Sequence, residues 1–423
     1  MYNYHLVQTY NYVRYFKITL LVVIATIISD VFRLISWVPS INFDSLTYFF
    51  VLLNYLSIGA ILLITIKSVK DQHVPSTINS LFYAWLLWNF FNVIRGALLT
   101  SSYWDWKFLL LTSVGFSFIS LVFFLGNNLF FTRRIIIFYV KYMFVFGFLF
   151  IPFGFVTNPE LYSRLMIPVT FLVLFIPYVQ PKWKWLIALV AIASVLLALG
   201  FRTNIIKIAF SIVLLSLYLL RNYILKSWLI FIHFLLFFIP LTLLFLGITG
   251  SFNVFSELSS ATEKNLVVSD NQGTEQNLTG DTRTFLYDEV LSSMNTLSDW
   301  IIGKSASGSY HSEWFYNNGG AMEGKRYRSE VNILNILLYH GVVGVFIYFI
   351  LLYTVSLIAI KKSNNTLAKM LGLVIASRWT LSFIEEFTQF DLNFFFFWLL
   401  IGLVSSAYFR SMNDSELKKY LRF

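Results

Sequence analysis

Apolar residues occur in long blocks along this chain, and short polar stretches separate the blocks. A helix needs about 20 apolar residues to cross the hydrocarbon core of a bilayer. Only helices and closed barrels satisfy their backbone hydrogen bonds inside lipid, and the lengths of these blocks suit helices. The pattern therefore predicts an all-α polytopic membrane protein with about twelve transmembrane helices.

The predicted spans form two groups around one long polar region. Nine precede it and three follow it, at about residues 17–38, 48–66, 79–99, 108–131, 135–156, 163–179, 185–200, 205–220, 227–249, 341–360, 366–384 and 393–409. We therefore expect three parts: transmembrane helices 1–9 in residues 1–249, an extracytoplasmic loop with amphipathic helices in residues 250–340, and transmembrane helices 10–12 with a cytoplasmic tail in residues 341–423.

The composition indicates the same class of protein. Hydrophobic residues make up 58% and charged residues 12% of the 423 residues, whereas soluble domains carry roughly 25% charged residues. The chain has no cysteine, which excludes disulfides, thiolate catalysis and thiolate metal sites. The first apolar run has full span length and lacks a small-residue cleavage site, so we do not expect a cleavable signal peptide.

Charge is distributed unequally between the two predicted sides of the membrane. The polar region 250–330 has a net charge of −5 and lies on one side. The opposite side carries the tail and the basic residues Arg14, Lys67, Lys70, Arg133, Arg134, Lys182, Lys184, Arg221, Lys226, Lys361 and Lys362. Because basic loops remain in the cytoplasm, both termini are expected to be cytoplasmic and the long loop to lie outside.

The stretch from Asp281 to Gly344 offers the longest polar surface for chemistry. Asp281 can cap a helix whose apolar stripe contains Leu286, Val290, Met294 and Leu297. Arg283 and Tyr287 are four residues apart and share a face of that helix. Arg283 lies in the first turn, where free N–H groups and a guanidinium together suit a phosphate. A solvated arginine on an amphipathic helix is the equally weighted alternative.

Three further cations lie in or next to predicted spans. Arg202 is in the tight outer turn before span eight, and Lys207 follows one turn later. They either bind the diphosphate of a lipid-linked substrate or snorkel to lipid phosphates. Arg378 is expected about 18 Å from the inner side of span eleven. A charge at that depth needs a partner inside the bundle, and Glu385 or Glu386 could supply it, possibly as a purely structural ion pair.

Other polar residues in the spans favour structural interpretations. Asp30 and Arg33 are three residues apart and can pair on one helix face. Arg95 is isolated near the end of span three, and His233 suits a packed core histidine.

Three local motifs, in this order along the chain, resemble those of the O-antigen polymerase and O-antigen ligase superfamily. GFRTNII resembles the arginine motif of the family's first loop. DTRTFLYDEV followed by WIIGKSASGSY resembles the second motif of the family, an arginine-led helix and then a turn. EVNILNILLYHGVVG resembles the closing motif, with leucines at Leu334 and Leu337 and glycines at Gly341 and Gly344. The histidine that ligases carry at the head of the closing motif is Glu330 here, which favours a polymerase over a ligase.

The resemblance implies a polymerase that joins polyprenyl-diphosphate-linked oligosaccharide repeat units into O-antigen, capsule or exopolysaccharide. The reaction would take place on the outer side of a bacterial inner (cytoplasmic) membrane. It would need no metal, no cofactor and no nucleotide sugar. The implied partners are the lipid-linked oligosaccharide, the lipid bilayer and a possible chain-length regulator, with no nucleic acid.

The implied chemistry assigns roles to the candidate residues. Arg202 and Arg283 would stabilise the leaving diphosphate, and we expect them to converge on one outer cavity. Glu330 would be the base that accepts the proton of the acceptor hydroxyl, or a structural residue in the first turn of a helix. The substrate-binding candidates are Lys207, Tyr287, His311, Arg328, Arg378 and Glu386, of which His311 and Glu386 are alternative bases.

Two other classes of protein remain alternatives to a polymerase or ligase. A twelve-span flippase or transporter of lipid-linked oligosaccharides would need no structured loop of this length and often has two similar halves. A glycosyltransferase with an acidic site in its first outer loop would need more acids than the single aspartate of PSINFDSLT.

Overall fold

Helices form most of the part of the chain that the structure describes. This computed structural model describes residues 2–35, 44–68, 74–156, 159–197, 202–248, 267–269, 275–277, 284–313, 316, 324–384 and 388–423. The first ten helices are α1 (Tyr2–Ile35), α2 (Asp44–Ser68), α3 (Ser76–Leu99), α4 (Tyr103–Asn127), α5 (129–156), α6 (Pro159–Leu165), α7 (Val169–Tyr178), α8 (Pro181–Leu197), α9 (Arg202–Leu219) and α10 (Lys226–Ile248).

The remaining helices begin in the polar region and continue to the C-terminus. They are α11 (Thr284–Ser292), α12 (Leu297–Ile302), α13 (Asn332–Lys361), α14 (Thr366–Leu381), α15 (Leu392–Ser405), α16 (Ala407–Ser411) and α17 (Asp414–Leu421). Two short antiparallel hairpins accompany them, β1 (Val267–Ser269) with β2 (Glu275–Asn277) and β3 (Tyr310–His311) with β4 (Lys325–Arg326).

This architecture is that of an α-helical membrane protein. By length and composition, five of the described helices could cross a membrane, over Tyr15–Phe32, Tyr48–Ile66, Tyr103–Asn127, Lys226–Gly247 and Asn332–Lys361. Shorter apolar helices cover Val169–Tyr178, Thr203–Leu219 and Leu392–Ser405. Helical segments overlap each of the twelve predicted spans, but the structure does not establish the predicted count of twelve crossings.

Several predicted boundaries were wrong. The break between spans four and five falls at Asn128, whose side chain accepts hydrogen bonds from the backbone N–H groups of Phe130 and Phe131. We had expected the break at Arg133 and Arg134, which instead lie within α5. The predicted sixth span is divided into α6 and α7 near Pro168, because proline removes an N–H donor and clashes with the preceding turn.

The core is centred on α15, which is buried along its whole length. Thirteen of its fourteen residues are buried, so neighbouring helices cover α15 on all sides. Its closest approach is to the end of α4, where Gly126 and Gly402 bring the two backbones together. A Cβ atom on either glycine would overlap the backbone of the opposite helix. These two glycines therefore allow the contact that anchors α15 in the bundle.

Two of the basic residues that the charge pattern places in the cytoplasm, Arg133 and Arg221, contact the C-terminal segment. Arg133 donates from Nε to the carbonyl of Tyr420 at 2.6 Å. Arg221 pairs with Asp414 at 3.8 Å, and Asp414 also accepts hydrogen bonds from the backbone and hydroxyl of Thr366 at 2.7 Å each. The tail thus fastens one end of the bundle, where it contacts Arg133 and Arg221.

At the other end, the GKSASG loop packs on a kink in α13. Gly303 and Gly341 both have positive φ, 74° and 64°, with ψ near 180°. This backbone conformation is essentially restricted to glycine. A Cβ atom on either residue would overlap the backbone around the other one. The backbone N–H of Lys304 donates to the carbonyl of Leu338 at 2.6 Å and closes the contact.

Arg95 completes this attachment from α3. Its guanidinium donates to the carbonyls of Ile302 (2.8 Å) and Gly303, which end α12, and to Asn92 Oδ1 at 3.0 Å. Carbonyls at the end of a helix lack partners within the helix, and a cation there is favoured by the dipole. The structural interpretation of Arg95 is therefore confirmed.

We predict that Gly341→Ala destabilises the protein by about 2 to 4 kcal/mol, because the alanine is strained and overlaps the neighbouring backbone. Gly59→Ala is the matched control, since a Cβ there meets nothing within 4 Å. Thermal unfolding of both purified variants in detergent measures the effect. Equal melting temperatures for the two variants would contradict the close approach.

Candidate functional site

Two buried carboxylates satisfy the first turn of α15. Asp391 is the N-cap and accepts a hydrogen bond from the N–H of Phe394 at 2.8 Å. Asp30, from α1, accepts one from the N–H of Leu392 at 2.7 Å. Because the first N–H groups of a helix have no partner within the helix, a buried start needs such acceptors. Asp30 was expected to pair with Arg33, whose side chain lies outside the described residues.

Arg378 reaches the same turn from α14. It donates from Nη1 to Asn393 Oδ1 at 2.8 Å, and its guanidinium lies over the rings of Phe394 and Phe397 at 5.5 and 5.0 Å. Arg378 lies inside the bundle, with only 7% of its surface exposed. α14 begins at Thr366 and ends at Leu381, so Arg378 is twelve residues into the helix, about 18 Å along it as expected, and lies in its last turn. A cation is favourable at that helix end.

The described residues do not include the two acids that we expect to pair with Arg378. Glu385 and Glu386 lie outside the described residues, so the suggested pairing stays a prediction. The contact seen in the structure is to an amide, Asn393, and to two aromatic rings.

Lys207 and Arg378 line one small cavity, although they are far apart in the sequence. Thr170, Ser211 and Asn393 supply polar atoms to its wall. Lys207 is as buried as Arg378, with 7% of its surface exposed. The cavity volume is about 20 Å³, which is sufficient for one water molecule. The structure therefore brings two predicted cationic candidates together in a cavity too small for a phosphate.

Arg328 approaches the start of α15 from the polar region. Its Nη2 donates to Gln389 Oε1 at 2.9 Å, and Gln389 Nε2 donates to Asp391 Oδ2 at 2.9 Å. Next to this chain, Thr388 donates from its hydroxyl to Asn332 Oδ1 at 2.6 Å. Three predicted candidates, Lys207, Arg328 and Arg378, are thus gathered around one helix start. We refer to this set, with Asp30, Gln389, Asp391 and Asn393, as the α15 polar cluster.

Glu330 lies immediately before α13, at the outer edge of this arrangement. Its carboxylate pairs with Arg326 at 3.8 Å, and its side chain is 41% exposed. α13 begins at Asn332 with Val331 as its N-cap. The interpretation of Glu330 as a first-turn residue was therefore wrong, because it precedes the cap. An exposed carboxylate at this position can meet a substrate without any opening of the bundle.

Tyr287 has a different environment from the one expected of a substrate-binding residue. Its hydroxyl donates to the carbonyl of Phe383 at 2.5 Å, beyond the end of α14. Burial raises the pKa of Tyr287 above its ordinary value. The residue fastens α11 to the bundle, and its hydroxyl is already used. Leu286, Val290 and Met294 are buried beside it as expected, whereas Leu297 starts α12 and is exposed.

The remaining candidates are only partly described. His311 is exposed on β3 opposite Lys325, with its ring 6.0 Å from that of Tyr316. Arg202 begins α9, but its side chain lies outside the described residues. Arg283 and Glu386 lie outside them entirely. The expected convergence of Arg202 and Arg283 therefore stays a prediction.

Asp105 is a central polar residue that the sequence analysis missed. Its Oδ1 accepts hydrogen bonds from Lys325 Nζ at 2.7 Å and from the Tyr327 hydroxyl at 2.6 Å. Ser102 and Asp105 form a capping box at the start of α4. That signal, a serine followed three residues later by an acid, was present in SSYWDWK. The capping box does not reveal the partners, which are more than 200 residues away.

The contacts of Asp105 hold the segment that leads to Glu330. Burial alone would lower the pKa of Lys325, but its hydrogen bonds with Asp105 and Tyr327 raise the pKa above its ordinary value. The ring of Tyr327 stacks on Phe108 with centroids 4.3 Å apart. The hydroxyl of Tyr339 donates a hydrogen bond to the backbone carbonyl of Tyr327. The backbone around Glu330 is therefore fixed from two sides.

The chemistry available here is that of cations and single carboxylates. Among the described residues, no group of three or more His, Cys, Asp or Glu side chains is placed to hold a metal ion. His233 is a packed core histidine, as expected, with its Nε2 2.8 Å from Ser356 Oγ. No protein-family model, no curated protein and no solved structure matches the chain.

We predict that Asp105→Ala destabilises the protein by about 1 to 3 kcal/mol, because it leaves the buried Tyr327 hydroxyl without its acceptor. Asp105→Asn should lose less, since its amide oxygen can still accept from Tyr327. Asp288→Ala is the control, being an exposed aspartate on α11. Thermal unfolding and the rate of limited proteolysis within residues 303–330 report the effect. Wild-type values for Asp105→Ala would disprove the anchoring role.

Proposed function

We propose that this protein is a polymerase of polyprenyl-diphosphate-linked oligosaccharide repeat units, acting by glycosyl transfer on the outer side of a bacterial inner membrane. The observation that carries the proposal is the gathering of Lys207, Arg328 and Arg378 around the start of α15. These residues come from three distant parts of the chain. The resemblance of the three motifs to the O-antigen polymerase and ligase superfamily supports the same function.

The reaction releases a lipid diphosphate, and its charge grows as the bond from the sugar C1 atom to the phosphate oxygen breaks. Cations positioned at that oxygen stabilise the transition state more than the ground state. The N–H groups of Leu392 and Phe394 at the start of α15 do not take this role, because they already donate to Asp30 and Asp391. The anion therefore depends on the lysine and arginine side chains.

The small cavity next to Lys207 and Arg378 determines how a donor could meet them. Its room for a single water molecule excludes a diphosphate in this conformation. Both side chains are long, and we propose that they leave their buried positions and turn outward when a donor binds. Arg202 and Arg283 are the further cations that we assign to the outer opening of the site.

Glu330 is our candidate for the base. Its exposed carboxylate, its pairing with Arg326 and its fixed backbone suit a residue that meets an acceptor hydroxyl at the surface. In this proposal the carboxylate accepts the proton as the attack on C1 acidifies the hydroxyl. The position of Glu330 also favours a polymerase over a ligase in the motif comparison.

The proposed topology has twelve spans with both termini in the cytoplasm. The contacts of Arg133, Arg221 and Lys226 with the chain near or beyond residue 361 support a shared side for these residues and the tail. Glu330 and α11 lie on connections at the opposite ends of α13 and α14. The site would then face outward.

Lys207→Ala and Arg378→Ala should each reduce polymer formation by at least about 100-fold, the range found for the loss of one transition-state donor. Arg378→Lys should restore little, because lysine lacks the planar fork of donors. Lys362→Ala and Arg422→Ala are matched controls at exposed positions. The assay uses purified protein in vesicles with lipid-linked repeat units, and gels resolve the polymer. Undiminished polymer with both site variants would refute the proposed site.

Glu330→Gln should also abolish polymer while the protein remains folded, because glutamine keeps the size of the side chain but cannot accept the proton. Glu313→Gln is the control, since Glu313 is exposed in the same polar region. The same vesicle assay applies, with donor binding measured separately. Normal polymer from Glu330→Gln would remove Glu330 as the base and make His311 the next residue to test.

A further inference from the structure

α12 carries an exposed apolar face at the end of the bundle opposite the tail. Leu297, Trp300 and Ile301 are spaced three and four residues apart and therefore share one side of this helix. Their side chains are 75%, 38% and 45% exposed, and α12 has no buried residue. The other side of the helix carries Ser298 and Asp299. The helix is therefore amphipathic, and the rest of the described chain does not cover its apolar face.

The backbone of α12 makes the contacts that hold it on the bundle. Arg95 donates to the carbonyls of Ile302 and Gly303. A Cβ atom at Gly341 would overlap the carbonyl of Ile301, so α13 also packs against the backbone. Isolated helices this short are not stable in water, and most helices in proteins depend on the burial of an apolar face. The apolar side of α12 therefore calls for a partner.

The length of α13 gives the depth of this attachment in the membrane. Lys361 ends α13 at the tail end of the bundle, where Lys226 donates to its carbonyl. Gly341 and Lys361 are separated by about 30 Å of helix at 1.5 Å per residue. The hydrocarbon core of a bilayer is also about 30 Å thick. The end of α12, which packs on Gly341, therefore lies at the opposite boundary of the hydrocarbon core.

α3 and the turn that follows it mark the same level. Arg95, which binds the end of α12, lies near the end of α3. The first turn of α4 comes shortly afterwards and carries the exposed aromatic residues Tyr103, Trp104 and Trp106. Tryptophan and tyrosine concentrate at the boundary between lipid and water. Trp300 adds a further exposed aromatic side chain at this end of the bundle.

The two helices that hold α12 also expose apolar side chains near the attachment. Val342 and Phe346 follow the kink of α13 and are exposed. Ile94 and Leu98 are exposed on α3, on either side of Arg95 in the sequence. Exposed apolar residues on helices of span length face the acyl chains. The apolar surface of α12 is therefore attached to two lipid-facing helices at the level where the membrane ends.

We propose that α12 is an interfacial helix, with Leu297, Trp300 and Ile301 immersed in the membrane and Ser298 and Asp299 directed toward water. The partner of its apolar face is the lipid bilayer, in the outer leaflet on the proposed topology. The GKSASG loop begins at the end of α12, so this anchor holds the loop at the level of the lipid head groups. The inference concerns position in the membrane and does not depend on the proposed reaction.

The test uses single nitroxide labels, which the absence of cysteine allows without background labelling. Leu297→Cys and Ile301→Cys are labelled and reconstituted in vesicles of phosphatidylethanolamine and phosphatidylglycerol. Power saturation in electron paramagnetic resonance measures collisions with oxygen, which dissolves in lipid, and with a water-soluble nickel chelate. Both labels should favour oxygen and lie about 5 to 10 Å into the boundary between head groups and acyl chains, as interfacial helices do.

Two exposed positions give the reference values. A label at Asp288→Cys on α11 should report water, and one at Phe346→Cys on α13 should report acyl chains. Adding Leu297→Glu should shift the label at Ile301→Cys toward the water value, because a carboxylate is costly among acyl chains. Adding Ser298→Glu is the matched control on the polar side, and it should leave that label unchanged.

Labels at Leu297→Cys and Ile301→Cys that give the water value would overturn the inference, because α12 would then lie outside the membrane. Labels shielded from both reagents would also overturn it, because protein would then cover the face. Dipolar broadening between labels would identify that protein as a second copy of the chain. The measurement reports position and not polymer, so either failure leaves the proposed function standing. Loss of the proposed function would likewise leave the position of α12 unchanged.

Discussion

The start of α15 is a buried helix end, and much of the polar structure follows from the need to satisfy it. α15 is surrounded by other helices, so water cannot reach its first N–H groups. A buried donor without an acceptor costs about 1 to 3 kcal/mol. Asp391 supplies one acceptor from its own chain end, and Asp30 supplies another from α1. Arg328 and Arg378 reach the same helix start through the side-chain amides of Gln389 and Asn393.

The polar region is attached to the bundle by contacts of three different kinds. Gly303 and Gly341 permit a close approach of two backbones, Arg95 binds the carbonyls at the end of α12, and Asp105 binds Lys325 and Tyr327. Each attachment involves a different helix of the bundle. Together they fix the residues that lead to Glu330 without covering Glu330 itself. The Glu330 carboxylate is therefore held in place while 41% of its side chain remains exposed.

Hydropathy was sufficient for the class of fold, because apolar blocks of span length leave few other structures available in lipid. The same reasoning identified Lys207 and Arg378, since a cation next to an apolar run is unusual enough to be noticed. It did not show that α14 ends three residues after Arg378, because the end of a helix within an apolar segment is set by packing. Proline and the cap at Asn128 similarly divided segments that hydropathy joined.

The contacts that the sequence could not supply are those between distant polar residues. Asp105 and Lys325 are separated by 220 positions, and nothing in either local pattern indicates the other. The Asp30 carboxylate binds the backbone of Leu392, 362 positions away, which nothing in the sequence around Asp30 indicates. Tyr287 looked available for a substrate because its helix face was polar, and tertiary packing gave its hydroxyl a backbone acceptor. Local spacing predicts possible pairs, whereas the fold decides which pair forms.

The balance of charge in the α15 polar cluster bears on how an anionic donor would bind. Asp30 and Asp391 lie at the same helix start as Arg328 and Arg378, so the cluster contains charges of both signs. A diphosphate must therefore compete with carboxylates that have no freedom to leave, since both cap the same helix. Such competition weakens binding of the ground state. The competition weakens binding of the departing diphosphate less, because the charge of this group increases as the bond breaks. An arrangement that binds the donor modestly can therefore still favour the transition state.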